Sequence, residues 1–214
     1  MDSKIIDKIT VNCHSSIRIG AEKVIYFDPF KIQENASDAD IIFLTHSHFD
    51  HFSKEDVAKL IRKDTVLVMP ETIRDTVCRE FPDHTAVLMK PWEKKEICGI
   101  MTEAVPSYNV GKPMHKKEYG WLGYVVTVDS ERIYVCGDMD DNEDARRVKC
   151  DILLVPAGGT YTMNAAEAAA FADAVGPDIA VPTHYADIVG SLEDGDIFRK
   201  NTHCKTVLKI GEEK

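Results

Sequence analysis

No apolar run in this chain approaches the roughly 20 residues that a membrane-crossing helix needs. The start, Met1-Asp-Ser-Lys4, has neither the basic opening nor the apolar stretch of a signal peptide. Neither a bilayer partner nor export is therefore expected, and the cytoplasm is the expected compartment. No C-x-x-C pair occurs among Cys13, Cys78, Cys98, Cys136, Cys150 and Cys204. These read as reduced, mostly buried thiols rather than a disulfide framework. Positive charge is short as well. Twenty-six Lys and Arg face 36 Asp and Glu, for a net charge of −10. Binding to a nucleic-acid backbone is thus not expected as the main business, although a small, locally positive pocket is compatible with it. Repeats, low-complexity tracts and inter-domain linkers are missing too. The 214 residues, 44% apolar and 29% charged, are expected to form a single domain over 1–214.

What is present is concentrated in one stretch, Ile41-Ile-Phe-Leu-Thr-His46-Ser-His48-Phe-Asp50-His51-Phe-Ser53. The apolar run reads as a short buried strand. Ser53 followed by Asp56 reads as a helix start, with the serine as N-cap. His46, His48, Asp50 and His51 then occupy the loop at the carboxyl end of a strand, where layered α/β folds hold ligands. One histidine there would read as structural. Three with an aspartate in six positions would leave several buried polar groups seeking partners unless a cation satisfied them. Imidazole with carboxylate is the donor set of Zn, Mn or Fe rather than of Ca or Mg.

The rest of the chain alternates strands and helices. Strands are expected over 5–11, 16–19 and 24–27 as a β-meander, then over 65–69, 84–89, 97–105, 121–128, 133–136, 151–155, 178–181 and 205–210. Helices are expected over 53–62, 71–80, 164–174 and 191–200, with a short one ending at Arg147. Three strand ends carry polar residues: Tyr108-Asn109, Gly137-Asp138 and Thr183-His184. His14 sits in an early turn, and His115 in a loop bounded by Gly111 and Gly120. From the residues alone, His14 reads first as structural, and His115 equally as a solvated side chain or one folded back over the site.

The Thr45-His-Ser-His-Phe-Asp-His51 run resembles the H-x-H-x-D-H signature of the metallo-β-lactamase superfamily, and the downstream motifs follow in that family's order from His14 to His184. The resemblance implies an α/β protein, an αβ/βα four-layer sandwich of two mixed β-sheets with helices on the outer faces. It implies metal ligands at His46, His48, Asp50, His51, Asp138 and His184, with Asp138 bridging and Asp50 also catalytic. One or two divalent transition-metal ions are implied, zinc first and manganese or iron as alternatives. Where the family has the third histidine of its first metal, this chain has Asn109. The expected centre is therefore unequal: tighter at Asp50, His51, Asp138 and His184, weaker at His46 and His48. Asn109, His115 and His14 remain candidates for a ligand or for a place behind the ligands.

His14-Ser15 and Gly158-Gly-Thr-Tyr-Thr-Met163 further resemble the ascorbate-6-phosphate-lactonase-like branch. That likeness implies a small ester or lactone, phosphorylated or not, as substrate, with Tyr108, Gly159 and Thr162 as substrate-binding residues. The helix start beside them would be an anion-binding feature. Ions of this class lower the pKa of a bound water to about 7 and polarise the scissile bond. Electron-transfer members of the superfamily carry an acid where this chain has His48, so hydrolysis is favoured over redox chemistry. Two alternatives stand beside this one: a phosphodiesterase or nuclease of the same superfamily, and a metal-binding but catalytically weak sensor or interaction module. The expected partner is a small molecule, with neither nucleic acid nor membrane, and a homo-oligomer is left open.

Overall fold

The computed structural model of the chain describes residues 4–211. The Met1-Asp-Ser3 start, read above for signal-peptide character, lies outside them. Alternation sets the first strands. In β1 (Ile9–Cys13), Ile9 and Val11 are buried while Thr10 and Asn12 face solvent. It pairs antiparallel with β2 (Ser16–Gly20), which pairs antiparallel with β3 (Val24–Phe27). The continuous apolar runs β4 (Ile41–Phe43), β5 (Val66–Pro70) and β6 (Thr85–Met89) then add in parallel. Their crossovers carry α1 (Lys54–Leu60) and α2 (Arg74–Glu80). This is the behaviour of strands buried on both faces.

The second sheet runs the other way. β7 (Lys94–Ile97), β8 (Ile100–Pro106), β9 (Leu122–Val128) and β10 (Glu131–Val135) are antiparallel neighbours. β11 (Ile152–Pro156), β12 (Ile179–Thr183) and β13 (Lys205–Thr206) follow in parallel. Its helices are α3 (Glu143–Arg146), α4 (Ala165–Val175) and α5 (Glu193–Asn201). One continuous apolar core lies between the sheets, with Phe27 stacked on Phe43 and Phe43 tilted against Tyr124 of the other sheet. The outer face of the first sheet is covered by Val57, Leu60 and Val77 from α1 and α2. The outer face of the second is covered by the Ala-rich α4 and by Phe198 of α5. The architecture is the four-layer sandwich. Among the described residues, no helix is long and apolar enough to cross a membrane.

Three expectations change. The strand expected over 97–105 is a hairpin, because Cys98 and Gly99 both take positive φ and form the mirror-image turn that two-residue hairpins favour. The strand expected from Ile5 begins at Ile9, after a 3-10 turn (Ile6–Lys8). The closing strand is only Lys205–Thr206.

The end of α5 is tied to α4 by one carboxylate. Asp173 accepts from the Thr202 hydroxyl at 2.6 Å, the His203 amide at 2.8 Å and the His203 ring at 2.7 Å. Burial opposes its ionisation, but these donors prevail and hold it at about 2. A carboxyl lowered on folding stabilises the fold above its unfolded pKa, and that contribution is lost as pH falls towards about 2. Asp173→Asn is expected to lower unfolding free energy at pH 7 by about 1–2 kcal/mol. The gap from the parent should narrow below about pH 4. Urea midpoints at pH 7 and pH 3 check this.

Candidate metal centre

The site forms where strand ends from both sheets meet. β4 ends at Phe43, and the chain turns back so that the His51 and Phe52 amides donate to the His48 carbonyl. Ser53 then caps α1, its hydroxyl accepting from the Asp56 amide. This single turn aims His48, Asp50 and His51 at one point. Asp138 follows β10, and His184 follows β12. The turn between β1 and β2 brings His14, whose carbonyl accepts from the His184 amide at 2.9 Å. Gly137 has φ 68°, and a Cβ there would lie 3.1 Å from the Thr45 side chain. The glycine is needed for the turn and for the close approach.

Asp138 is buried at the centre. Its Oδ1 lies 3.0 Å from His184 Nε2 and 3.2 Å from His51 Nε2, and its Oδ2 lies 3.3 Å from His115 Nε2. Asp50 Oδ2 lies 3.2 Å from His14 Nε2, 3.6 Å from His51 Nε2 and 3.8 Å from His184 Nε2. On the other side, His46 Nε2 and His48 Nδ1 are 3.1 Å apart, and His48 Nδ1 and His115 Nε2 are 3.3 Å apart. Three overlapping donor groups result: His14, Asp50, His51 and His184; His46, His48 and His115; and His46, His51 and Asp138.

Hydrogen bonds behind the rings fix which nitrogen faces inward. His51 Nδ1 donates to Asp28 Oδ2 at 2.6 Å. The Thr45 hydroxyl donates to the same oxygen at 2.6 Å and stands 3.0 Å from His46 Nδ1, from which it can accept. The Thr45 amide holds Asp28 Oδ1 at 2.8 Å. One buried carboxylate thus orients two imidazoles with their Nε2 atoms facing the centre, the usual support of a metal-binding histidine. His115 Nδ1 donates to the Tyr161 carbonyl at 3.2 Å, which the Asn109 amide also reaches at 2.7 Å.

Electrostatics sort the groups by charge. Desolvation holds His46 well below the usual histidine range and lowers His14, His48 and His115. Burial opposes ionisation of Asp138, but His184 and His51 hold it well below the carboxylate range. Burial also opposes a charge on His51, yet Asp138 and Asp28 raise it well above the usual value. The ionised carboxylate and the lowered histidines are in the states that a divalent ion requires, and His51 would release its Nε2 proton on binding one. The fit is visible in the orphaned atoms. Asp138 Oδ1, His51 Nε2 and His184 Nε2 are buried within 3.2 Å contacts but form no hydrogen bonds. Their lone pairs converge on shared space rather than on one another, and a cation there would satisfy all three.

Every sequence-predicted ligand lies in this cluster: His46, His48, Asp50, His51, Asp138 and His184. Of the two candidates for completing the first set, His115 is the one beside it. His115 folds over to complete a three-imidazole group, while Asn109 stands behind it on the Tyr161 carbonyl. The residues expected to bind substrate lie outside the cavity lining. The Tyr108 hydroxyl turns away to Asp144 and Lys117, Thr162 is wholly buried, and Gly159 shapes a turn. Tyr161 lines the cavity instead. At the helix start beside it, Asn164 and Glu167 cap each other reciprocally and take up the Asn164, Ala166 and Glu167 amides.

Three further participants were missed. Asp28 directly follows the strand expected over 24–27, and because β3 is the parallel neighbour of β4, both carboxyl ends reach the same edge. Thr45 was read only as part of the signature. Trp121 packs its ring 4.6 Å from His46 and 4.9 Å from His48. The cavity over the cluster is about 250 Å³. A larger cleft of about 350 Å³, near Arg18 and Tyr26, contains none of these histidines.

Fold and site together are those of the metallo-β-lactamase superfamily, and the β-lactamase superfamily domain model matches residues 8–184. Among curated proteins, a UPF0173 metal-dependent hydrolase of Methanosphaera stadtmanae is 30% identical over 222 residues, covering 94% of this chain and 93% of that protein. One of Thermococcus onnurineus is 28% identical over 215 residues, covering 93% and 95%. A crystal structure of a proposed metal-dependent hydrolase from Parabacteroides distasonis aligns with TM-score 0.77 at 25% identity, covering 94% and 91%. The chain belongs to the UPF0173 metal-dependent hydrolase family.

Asp28→Asn keeps the shape of the side chain but removes the carboxylate that orients His51 and Thr45. Zinc affinity is expected to fall about 10- to 100-fold. Calorimetric titration of the apo-protein reads it, with the circular-dichroism spectrum as the check on folding. Unchanged affinity in a folded variant would remove Asp28 from this role.

Proposed function

We propose that the chain hydrolyses a small ester or lactone, with one or two divalent transition-metal ions, zinc first and manganese or iron as alternatives. The observation that carries this reading is Asp138 Oδ1, buried and unbonded between His51 and His184. His46, His48 and His115 would hold one ion, and Asp50, His51 and His184 the other, with Asp138 between them. Bound there, such ions supply a water of lowered pKa and a Lewis acid for the carbonyl oxygen.

The remaining work falls to the chain's own side chains. Asp50 is the more exposed of the two carboxylates lining the cavity, and His14 Nε2 stands at hydrogen-bond distance from its Oδ2. It is placed to take a proton from the attacking water and return it to the departing oxygen. The Asp28 and Thr45 chain keeps His46 and His51 in one tautomer through that cycle. Water adds across the acyl–oxygen bond to give an acid and an alcohol, and no covalent enzyme intermediate is needed. The His14-Ser15 and Gly158–Met163 likeness supports a lactone over an open ester. The catalytically weak alternative was motivated by an absent third imidazole, and His115 removes that motive. The net charge of −10 weighs against the nuclease alternative.

Protein purified without a nickel column is expected to contain at least one equivalent of transition metal after reconstitution. Chelation should abolish turnover of ester or lactone substrates, and zinc or manganese should restore it. Asp138→Ala should lose both metal and turnover while remaining folded. Near-parental turnover by that variant, or less than about half an equivalent of metal in the parent, would sink the proposal.

A further inference from the structure

Four large apolar side chains ring the mouth of the cavity: Phe49, Met114, Tyr161 and Ile188. They are 67%, 40%, 43% and 40% exposed. They come from four different loops, after β4, between β8 and β9, between β11 and α4, and after β12. No single element forces them together. Scattered exposed apolar residues need no explanation, but a ring of them around a polar centre marks a binding surface.

The same mouth offers little to an anion. Among the described residues lining the cavity there is no lysine or arginine. The cations carried by the surrounding loops are already committed. Lys31 binds Asp187 at 2.5 Å, Lys112 binds Asp140 and the Thr162 carbonyl, and Lys117 binds Asp144 at 2.7 Å. Backbone amides are committed as well. Those of Gly159, Tyr161 and Thr162 donate within their own loop, and those of Ala166 and Glu167 donate to Asn164. A phosphate seated at this rim, away from the metal-binding side chains, would lose its hydration shell and gain neither a lysine or arginine nor a nest of donors.

We propose, resting on the hydrolase reading above, that the substrate is an uncharged ester or lactone with an apolar chain or ring, and that it carries no phosphate. The apolar part lies against Phe49, Met114, Tyr161 and Ile188, and the reacting carbonyl points inward to Asp138 and the histidines. A cavity of about 250 Å³ is smaller than the pockets of drug-sized ligands, about 300–1,000 Å³. The chain is therefore short, or the ring single.

Zinc-reconstituted protein titrated calorimetrically with straight-chain hydroxamates, from acetohydroxamate to octanohydroxamate, separates this inference from its foundation. Binding should tighten by about three- to fourfold per methylene until the cavity is filled, and then level off. A hydroxamate ending in a phosphonate should bind more weakly than the neutral one of equal length. The double variant Phe49→Ser, Ile188→Ser, changed only at exposed positions, should flatten the dependence on chain length. p-Nitrophenyl esters should follow the same order in kcat/KM, and p-nitrophenyl phosphate should be a poor substrate. A flat series, or preference for the phosphonate, overturns the apolar substrate and leaves the hydrolase reading standing. Failure of every hydroxamate to bind the metal-loaded protein overturns the hydrolase reading, and this inference with it.

Discussion

Asp138 is an ionised carboxylate buried between imidazoles, its Oδ1 3.0 Å from His184 and 3.2 Å from His51 but aligned for a hydrogen bond with neither. Moving an unpaired carboxylate out of water costs several kcal/mol even after a protein relaxes around it. A fold that holds one in place must oppose that cost with a partner and with a rigid frame. The partner is the cation for which the surrounding nitrogens are aimed. The frame is the meeting of the two sheets. Tyr124 of β9 donates its hydroxyl to the Leu44 carbonyl at the end of β4, and the Leu122 amide donates to the Thr45 carbonyl beside it. The seam between the sheets is therefore hydrogen-bonded one and two residues before His46, so the histidine loop cannot shift without disturbing both sheets.

The backbone carries part of the same load. His14, His115, His184 and Asp28 all take positive φ, between 44° and 58°. Non-glycine residues rarely adopt that region, and holding one there costs about 1–3 kcal/mol. Four such residues around one centre are not a by-product of core packing, because none of them adds apolar burial. They turn side chains inward at strand ends where an extended chain would point them elsewhere. Gly158 makes room for one of them, since a Cβ there would fall 2.1 Å from the His184 carbonyl. Strain, close approach and hydrogen-bond support converge on the same few atoms. That agreement is itself evidence that the positions are fixed for chemistry.

Legibility in the sequence followed proximity along the chain. His46, His48, Asp50 and His51 were readable because six consecutive positions carry the whole pattern after a buried strand. Asp138 and His184 were readable as polar residues ending apolar strands, once an order of motifs was available. Asp28 was not, because its role depends on β3 lying beside β4, a pairing that local pattern does not state. The hairpin at Cys98-Gly99 was hidden by apolar residues on both sides of the turn, Ile97 and Ile100, which read as one run. The start of α4 shows the opposite failure. The reciprocal cap of Asn164 and Glu167 takes up the Asn164, Ala166 and Glu167 amides, which the expectation of an anion-binding helix start did not weigh.

His115 occupies a middle ground that explains why the residues at 109 and 115 could not be ranked by pattern. The end of β8 would carry a histidine rigidly, whereas this chain puts Asn109 there and delivers the imidazole from the loop that follows. That loop is held at several points: the Asn109 amide donates to the His115 carbonyl at 2.7 Å, the Val110 amide donates to Asp140, and Lys112 reaches Asp140 and the Thr162 carbonyl. Met114 on the same loop lines the cavity mouth. A histidine of the centre and part of the apolar rim thus sit on one hydrogen-bonded loop, so the geometry that places the imidazole also places Met114 at the mouth.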